Sequence, residues 1–401
     1  MSYNYFEKLL GKPSLFKAEF KLDINYIPER LPHREKELSL LSQLFSSLIT
    51  QPNSISRKLL ITGKTGIGKT ATVKQFGNII KEAAFKREIN IKYIHINCRK
   101  ERTSYKVLIS IIGQLKKDFP KRGYSPQDLL EIIKKVLHNQ NLHIILVLDE
   151  LNYLINKEED LIYSLTRIYD DSYNSPQRLS LIGIVRDISF LNNLDNSTLS
   201  TLQRNIIKFD TYSKDQIKHI LEYRSSLSLK KDVISDEILK SLAEIVFEKG
   251  DIRYGLNILW KSCKIAESKD LRFLTPEIIR LANQEIVPYS VNDILKYMNL
   301  NKSLFLLSIL RTLKNSNKIA VSVSSIINEY HLICENTNKK PKSYSQIWNY
   351  LNDFNRDGII TVSIKSKNIS GRKSLIKIQE MPLKKLEIQI LNKLKESEIA
   401  L

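Results

Sequence analysis

The run Gly63-Lys64-Thr65-Gly66-Ile67-Gly68-Lys69-Thr70 matches the pattern G-x-x-x-x-G-K-[ST] in full, and no other stretch restricts the fold so tightly. Lys58 to Thr62 reads as an apolar strand leading into it, and Lys69 to Ala84 as a helix leading out. Strand, glycine turn and helix open a nucleotide-binding α/β unit. In such a turn the backbone N–H groups close around phosphate oxygens, and the helix amino end adds its dipole. The Lys69 ammonium is expected to reach the β- and γ-phosphates and the Thr70 hydroxyl to hold Mg²⁺, so ATP or ADP is the implied ligand. Its expected contacts are Gly63, Thr65, Gly66, Ile67, Gly68, Lys69, Thr70 and Ala71.

Three further runs, Ile91 to Asn97, His143 to Leu148 and Ser180 to Val185, are mainly apolar and separated by helical stretches, which predicts a parallel sheet covered on both faces. Ile206 to Phe209 is a candidate fifth strand. The run from His143 to Leu148 leads into Asp149-Glu150. A buried strand puts Asp149 at its carboxyl edge beside the phosphate turn, where it can support Mg²⁺ directly or through water, while Glu150 is positioned to polarise an attacking water. Lys69, Asp149 and Glu150 are therefore the candidate catalytic residues, and Thr70 and Asp149 the candidate metal ligands. Paired carboxylates at a strand end also serve as plain helix caps; the phosphate turn upstream favours the catalytic reading.

At about 150 residues per domain, 401 residues make two to three domains. After Phe209 the pattern turns helical, with Lys214 to Arg224, Ser235 to Lys249, Ile252 to Ser268 and a helix opened by Thr275-Pro276, which reads as a small all-helical domain. Val287-Pro288-Tyr289 breaks it. Beyond Ser290 come three helices and two β-rich segments, Ile359 to Ile364 and Ser374 to Gln379, the order of a winged helix, then an amphipathic stretch from Leu383 to Lys395. The expected division is 1–209 nucleotide-binding, 210–286 helical and 287–401 winged helix.

Lysine and arginine number 63 against 43 acidic residues, a net charge of +20 that suits a polyanionic partner, either nucleic acid or an anionic membrane. No run approaches the roughly 18 apolar residues of a spanning helix, and the first residues lack a basic region followed by an apolar stretch, so no membrane partner is expected. Cys98, Cys263 and Cys334 show no metal-binding spacing and read as buried thiols in a reducing cytoplasm, in a protein associated with the nucleoid.

The winged-helix segment supplies candidate DNA contacts. In Ser343 to Phe354, residues Ile347, Tyr350, Leu351 and Phe354 form one buried helical stripe, leaving Ser345, Gln346, Asn349 and Asn352 outward after Lys339-Lys340-Pro341-Lys342. Short polar side chains at a helix start are able to read base edges in the major groove, Gln and Asn being suited to adenine. The same pattern fits a merely solvated face. The stretch Lys365 to Lys377 holds only basic charges between two strand signals and reads as the wing, with Lys365, Lys367, Arg372 and Lys373 as candidate contacts and Arg372 suited to a narrow minor groove. Lys342 and Ser343 complete the set.

Taken jointly these motifs resemble the AAA+ superfamily, and within it the archaeal origin-recognition and replication-initiator family. Tyr26-Ile27-Pro28 through Leu31-Pro32-His33-Arg34-Glu35 resembles the family's amino-terminal signature, Asn97-Cys98-Arg99 the segment after the second strand, and Gly250-Asp251-Ile252-Arg253 the second-sensor motif. The resemblance runs from about Phe16 to Ile378. It implies an α/β fold, an AAA+ phosphate-loop parallel sheet with a helical lid and a winged-helix DNA-binding domain. It further implies that Pro28, Leu31 and His33 lie around adenine with Arg34 close by, and that Arg253 in the lid approaches the phosphates. It suggests a DNA-contacting insertion between the second and third strands, where Lys121, Arg122 and Tyr124 are the candidates; an ordinary exposed basic loop has the same composition. If this insertion and the wing grip one duplex, the site should be bent or underwound.

Two departures stand out. Where the family commonly has a water-orienting asparagine, this chain has Arg186, and a guanidinium cannot accept a hydrogen bond. At the arginine-finger segment it has Asp195-Asn196-Ser197, with Arg204 seven residues on as a second candidate. Good nucleotide binding with slow or partner-dependent hydrolysis is the expectation. The resemblance thus implies an ATP-dependent initiator that binds double-stranded origin DNA sequence-specifically and helps to load the replicative helicase, with related initiators as possible partners. A DNA-binding regulator or plasmid-type initiator has the same parts. An AAA+ remodelling motor would keep its arginine finger.

Overall fold

The computed structural model describes residues 13–155, 158–169, 176–187, 196–203, 205–286, 294–296, 298–316, 320–366, 372–378 and 383–396. These divide into two compact units, Met1–Asn257 with Lys269–Leu274, and Ile258–Ser268 with Thr275–Leu401.

In the first unit, α1 (Glu35–Phe45) precedes β1 (Lys58–Thr62), α2 (Lys69–Phe85) and β2 (Ile91–Asn97). Then come α3 (Ser104–Leu115), α4 (Pro126–Asn139), β3 (His143–Asp149), α5 (Glu159–Thr166), β4 (Leu179–Ile184), α6 (Asn196–Gln203) and β5 (Ile206–Lys208). The five strands form one parallel sheet in the order β2-β3-β4-β1-β5. Every residue of β3 and β4 is buried, as expected of unbroken apolar runs sandwiched between helices. β4 starts one residue earlier than the sequence suggests, and β5 stops at Lys208. Just past the end of β4, the Val185 N–H still donates to the Ile61 carbonyl (2.8 Å).

Two helices follow, α7 (Lys214–Ser228) and α8 (Asp236–Lys249). Ser213 and Gln216 make a reciprocal capping box on α7, and Gly250 ends α8 in the left-handed conformation at φ 67°. The helix α9 (Ile252–Ser268) contributes its first residues to this unit and its remainder to the second.

The second unit continues with α10 (Pro276–Glu285), α11 (Leu300–Ser316), β6 (Val321–Ser322), α12 (Val323–Asn336), α13 (Tyr344–Arg356), β7 (Ile360–Ser366), β8 (Arg372–Ile378) and α14 (Leu383–Glu396). The antiparallel hairpin β7–β8 gains β6 as a third strand, in the order β6-β8-β7. β6 escapes a sequence reading because two residues carry no period. The hairpin also pairs nearer its tip than the sequence suggests, with Ser366 opposite Arg372, since main-chain pairing continues where the side chains turn polar. Phe305, Tyr330, Tyr350 and Phe354 pack together in its core, Phe305 meeting Tyr330 edge-on at 5.3 Å. All three cysteines are buried free thiols, as expected. Among the described residues no helix is long and apolar enough to cross a membrane.

Candidate nucleotide site and nucleic-acid surfaces

Two glycines of the phosphate turn are required by their surroundings. Gly66, at φ 80°, lies against Asp251, so that a Cβ there would meet the Asp251 carboxylate at 2.1 Å. Gly68, at φ 91°, lies against the Tyr212 hydroxyl, 2.8 Å from where a Cβ would sit. The Ile252 N–H donates to the Gly66 carbonyl (3.2 Å), tying the start of α9 to the turn. Arg253 is held by Asp251, donating Nε to Oδ1 (3.0 Å) and Nη2 to Oδ2 (2.8 Å).

Lys69 heads α2, and its ammonium donates back to the Gly63 and Lys64 carbonyls at 2.5 and 2.6 Å. Burial lowers its pKa from 10.5 to about 8, with the nearby Arg186 and Arg253 guanidiniums acting in the same direction and the Asp149 carboxylate opposing them. Because the ammonium is disfavoured here relative to the unfolded chain, its cost to the fold is relieved as pH rises from about 8 toward 10.5. A polyphosphate favours the cation, so nucleotide binding is expected to take up a proton in that window and to weaken as pH rises through it. Calorimetry in buffers of different ionisation enthalpy reads the uptake, which should vanish in Lys69→Met.

The paired ends of β2 and β3, where Asn97 lies opposite Asp149, bring the acidic pair beside the turn. Thr70 donates its hydroxyl proton to Asp149 Oδ2 (2.8 Å), which also meets His95 Nε2 at 3.1 Å. Burial pushes the Asp149 carboxyl up, but hydrogen bonds from His95, Thr70 and the Glu150 N–H outweigh it and hold it below the usual carboxylate range. His95 Nδ1 in turn meets the Tyr93 hydroxyl (2.9 Å), and Tyr93 packs on Gly77 of α2. Sequence reasoning missed this chain; its one signal is a histidine two residues before the end of an apolar strand. A hydroxyl and an anionic carboxylate in contact, with main-chain donors and an ammonium alongside, fit a Mg²⁺-nucleotide: Thr70 and Asp149 would take the ion, and the turn and Lys69 the phosphates.

Glu150 stands at φ 54° and is paired with cations. Arg186 Nη2 lies 3.5 Å from its Oε1, and the buried Arg99 has Nη1 4.0 Å from its Oε2. Both guanidiniums approach the Tyr153 ring, at 5.8 and 5.2 Å.

The amino-terminal strap runs along the same side. Gln75 of α2 donates to the Glu29 carbonyl (2.9 Å), bringing the segment of Pro28, Leu31 and His33 beside the phosphate turn. His33, at φ 64°, meets His219 of α7, Nε2 to Nδ1 at 3.2 Å. Arg34 is buried: Nε and Nη2 donate to the Ile67 carbonyl (3.2 and 2.7 Å), Nη2 also to the Asp210 carbonyl (3.0 Å), and Nη1 to Glu37 (2.7 Å). Its guanidinium lies 4.0 Å from the Tyr212 ring centroid. Arg34 therefore holds the phosphate turn in shape.

In the second unit, α13 buries Ile347, Tyr350, Leu351 and Phe354 and exposes Ser345, Gln346, Asn349 and Asn352. Ser343 caps it by position, without a side-chain cap bond, and Lys342 before it is half-buried. Tyr344, 61% exposed and edge-on to Trp348 at 6.2 Å, joins this face and was not foreseen. Lys365, Arg372 and Lys373 lie on the wing strands, but their side chains, like the whole of Lys367, lie outside the described residues. So do Asp195 and Arg204, and the side chain of Ser197. In the first unit, Lys121 and Arg122 are exposed in the loop between α3 and α4, whereas Tyr124 packs on Phe119 at 5.0 Å.

The chain matches the family models of an AAA domain over residues 56–187, of the Cdc6 AAA+ ATPase-type lid domain over 218–284 and of the Cdc6 C-terminal winged helix domain over 293–387. It is 32% identical to the ORC1-type DNA replication protein 2 of Sulfolobus acidocaldarius, over 94% of this chain and 92% of that one. To the ORC1-type DNA replication protein 1 of Archaeoglobus fulgidus it is 29% identical over 94% and 91%. The crystal structure of Cdc6p from Pyrobaculum aerophilum aligns with 96% of this chain and 100% of its own at TM-score 0.63 and 28% identity. The structure of the Aeropyrum pernix ORC1 protein in complex with DNA aligns with 96% of this chain and 98% of its own at TM-score 0.81 and 24% identity, and shares the fold.

Proposed function

The chain belongs to the ORC1/Cdc6 family of archaeal DNA replication initiators, and from that premise we propose that it binds double-stranded origin DNA sequence-specifically, in a state set by bound ATP or ADP with Mg²⁺, and helps to recruit or load the replicative helicase. The observation that carries the reading is the exposed face of Ser345, Gln346 and Asn349 at the start of α13, behind a lysine-rich approach. The wing residues Lys365, Lys367, Arg372 and Lys373 are proposed to follow the backbone or a groove edge, and Lys121 and Arg122 to supply a further phosphate contact.

Hydrolysis is proposed to be slow. Glu150, the proposed water-polarising residue, is ion-paired with Arg186, and a guanidinium at that position cannot accept a hydrogen bond from the water that it would have to orient. Bound Mg²⁺ would neutralise phosphate charge; Lys69 would hold the terminal phosphates and Arg253 would approach them from the lid. A related initiator is the proposed partner that completes the site in trans.

Duplex binding tests the reading. Replacing Arg372 with alanine is expected to weaken binding and reduce the salt slope of log K by about 1 if the side chain meets a phosphate. An unaltered slope with lost sequence preference points instead to groove readout, and failure of the unmodified protein to prefer any duplex over any other would refute the proposal.

A further inference from the structure

Arg224 of α7 is buried, 7% exposed, and spends its guanidinium on main-chain carbonyls of the amino-terminal strap. Nε donates to Lys21 O (2.9 Å), Nη2 to Asp23 O (2.8 Å) and Nη1 to Tyr26 O (3.4 Å), and the guanidinium lies 5.5 Å from the Tyr26 ring centroid. Phe20 packs edge-on against the same tyrosine at 5.6 Å. Further along, the Lys17 and Ala18 N–H groups both donate to the Ser228 carbonyl at the end of α7 (2.9 and 3.1 Å), and Phe16 bridges to Leu229. A guanidinium is the one side chain with enough donors, in a rigid fork, to hold three carbonyls of a turn at once. The other end of the strap is fixed by a second buried arginine: Arg34 holds the Ile67 carbonyl of the phosphate turn. Between these anchors lie Pro28, Leu31 and His33, with the Glu29 carbonyl bonded to Gln75 of α2 and His33 against His219 of α7.

We propose that Arg224 is a positioning residue for the nucleobase: touching no part of the nucleotide, it fixes the strap between α7 and the phosphate turn so that the base meets a preformed wall at residues 28–33. This rests on the nucleotide-site reading above. The division of labour follows from the anchors. Phosphate affinity resides in the turn and Lys69, which Arg34 braces, while base affinity resides in a segment that Arg224 orders. A strap released at its Arg224 end must be re-ordered by each ligand that uses it, and that entropy falls on the base alone.

The test uses the full chain with two probes in the presence of Mg²⁺, ATP and inorganic tripolyphosphate, which carries the phosphates without a base. Arg224→Gln is expected to lower ATP affinity about tenfold while leaving tripolyphosphate affinity within about twofold. Arg224→Lys, which keeps the charge and part of the donor set, should recover part of the ratio, and it serves if the glutamine variant does not fold. His33→Ala should lower the same ratio, and combining it with Arg224→Gln should add little, because both act on one wall. Equal loss for both probes, or a lowered melting temperature with an unchanged ratio, would overturn the proposal and leave Arg224 a purely structural residue. If the unmodified protein binds neither probe, or if Lys69→Ala leaves both affinities intact, it is the nucleotide-site reading that fails.

Discussion

Alanine at position 69 is expected to reduce ATP and ADP affinity by about 100-fold or more, since the ammonium supplies a charge-assisted contact worth about 3 kcal/mol in a buried site. The winged-helix unit shares no described core with this residue and should stay folded. Calorimetric titration of the full chain at neutral pH, where Lys69 is mostly protonated, measures the loss. Unchanged affinity would remove the phosphate turn from the account.

Arg34→Ala should produce the largest loss of stability of any single substitution considered. The guanidinium is buried and bonded to Glu37 and to the Ile67 and Asp210 carbonyls, so truncation strips a half-buried carboxylate and two carbonyls of their donor together. Breaking a buried ionic pair by removing one partner costs about 3–5 kcal/mol. Urea unfolding followed through the first unit should show that loss as an earlier transition, accompanied by weakened nucleotide binding because Ile67 belongs to the phosphate turn. A loss below about 1 kcal/mol would mean that water replaces the guanidinium without penalty, and that the strap is braced elsewhere.

Much of this was legible in the sequence because the informative residues obey local rules. β1 is a short continuous apolar run, the helix after the phosphate turn reads from its own sequence, and glycine at Gly66 and Gly68 is enforced by a positive φ that other residues resist. The stripe of α13 emerged from a spacing of three and four, and its polar face from what that stripe leaves over. What stayed hidden depends on contacts between residues far apart in the chain. Nothing local says that His95 backs Asp149, that Arg186 pairs with Glu150, or that Arg34 turns its fork on the turn it precedes. Arginine was the least readable type: Arg224 looks like one surface charge among 63 basic residues, yet it is buried and satisfied by carbonyls that carry no sequence signature, and the motif that holds Arg34 does not say that its guanidinium turns on the Ile67 carbonyl. The two-residue strand β6 and the exposed Tyr344 were missed for the simpler reason that neither breaks or makes a pattern.

The central proposal is that this chain marks sites of replication initiation in a nucleotide-dependent way. The most direct measurement is crosslinking of the protein to DNA in its own cells and sequencing of the bound fragments, with Lys69→Ala alongside. A few sharp peaks where nascent strands begin, altered in the Lys69 variant, are the predicted result. Peaks confined to promoters, or none above background, would contradict it.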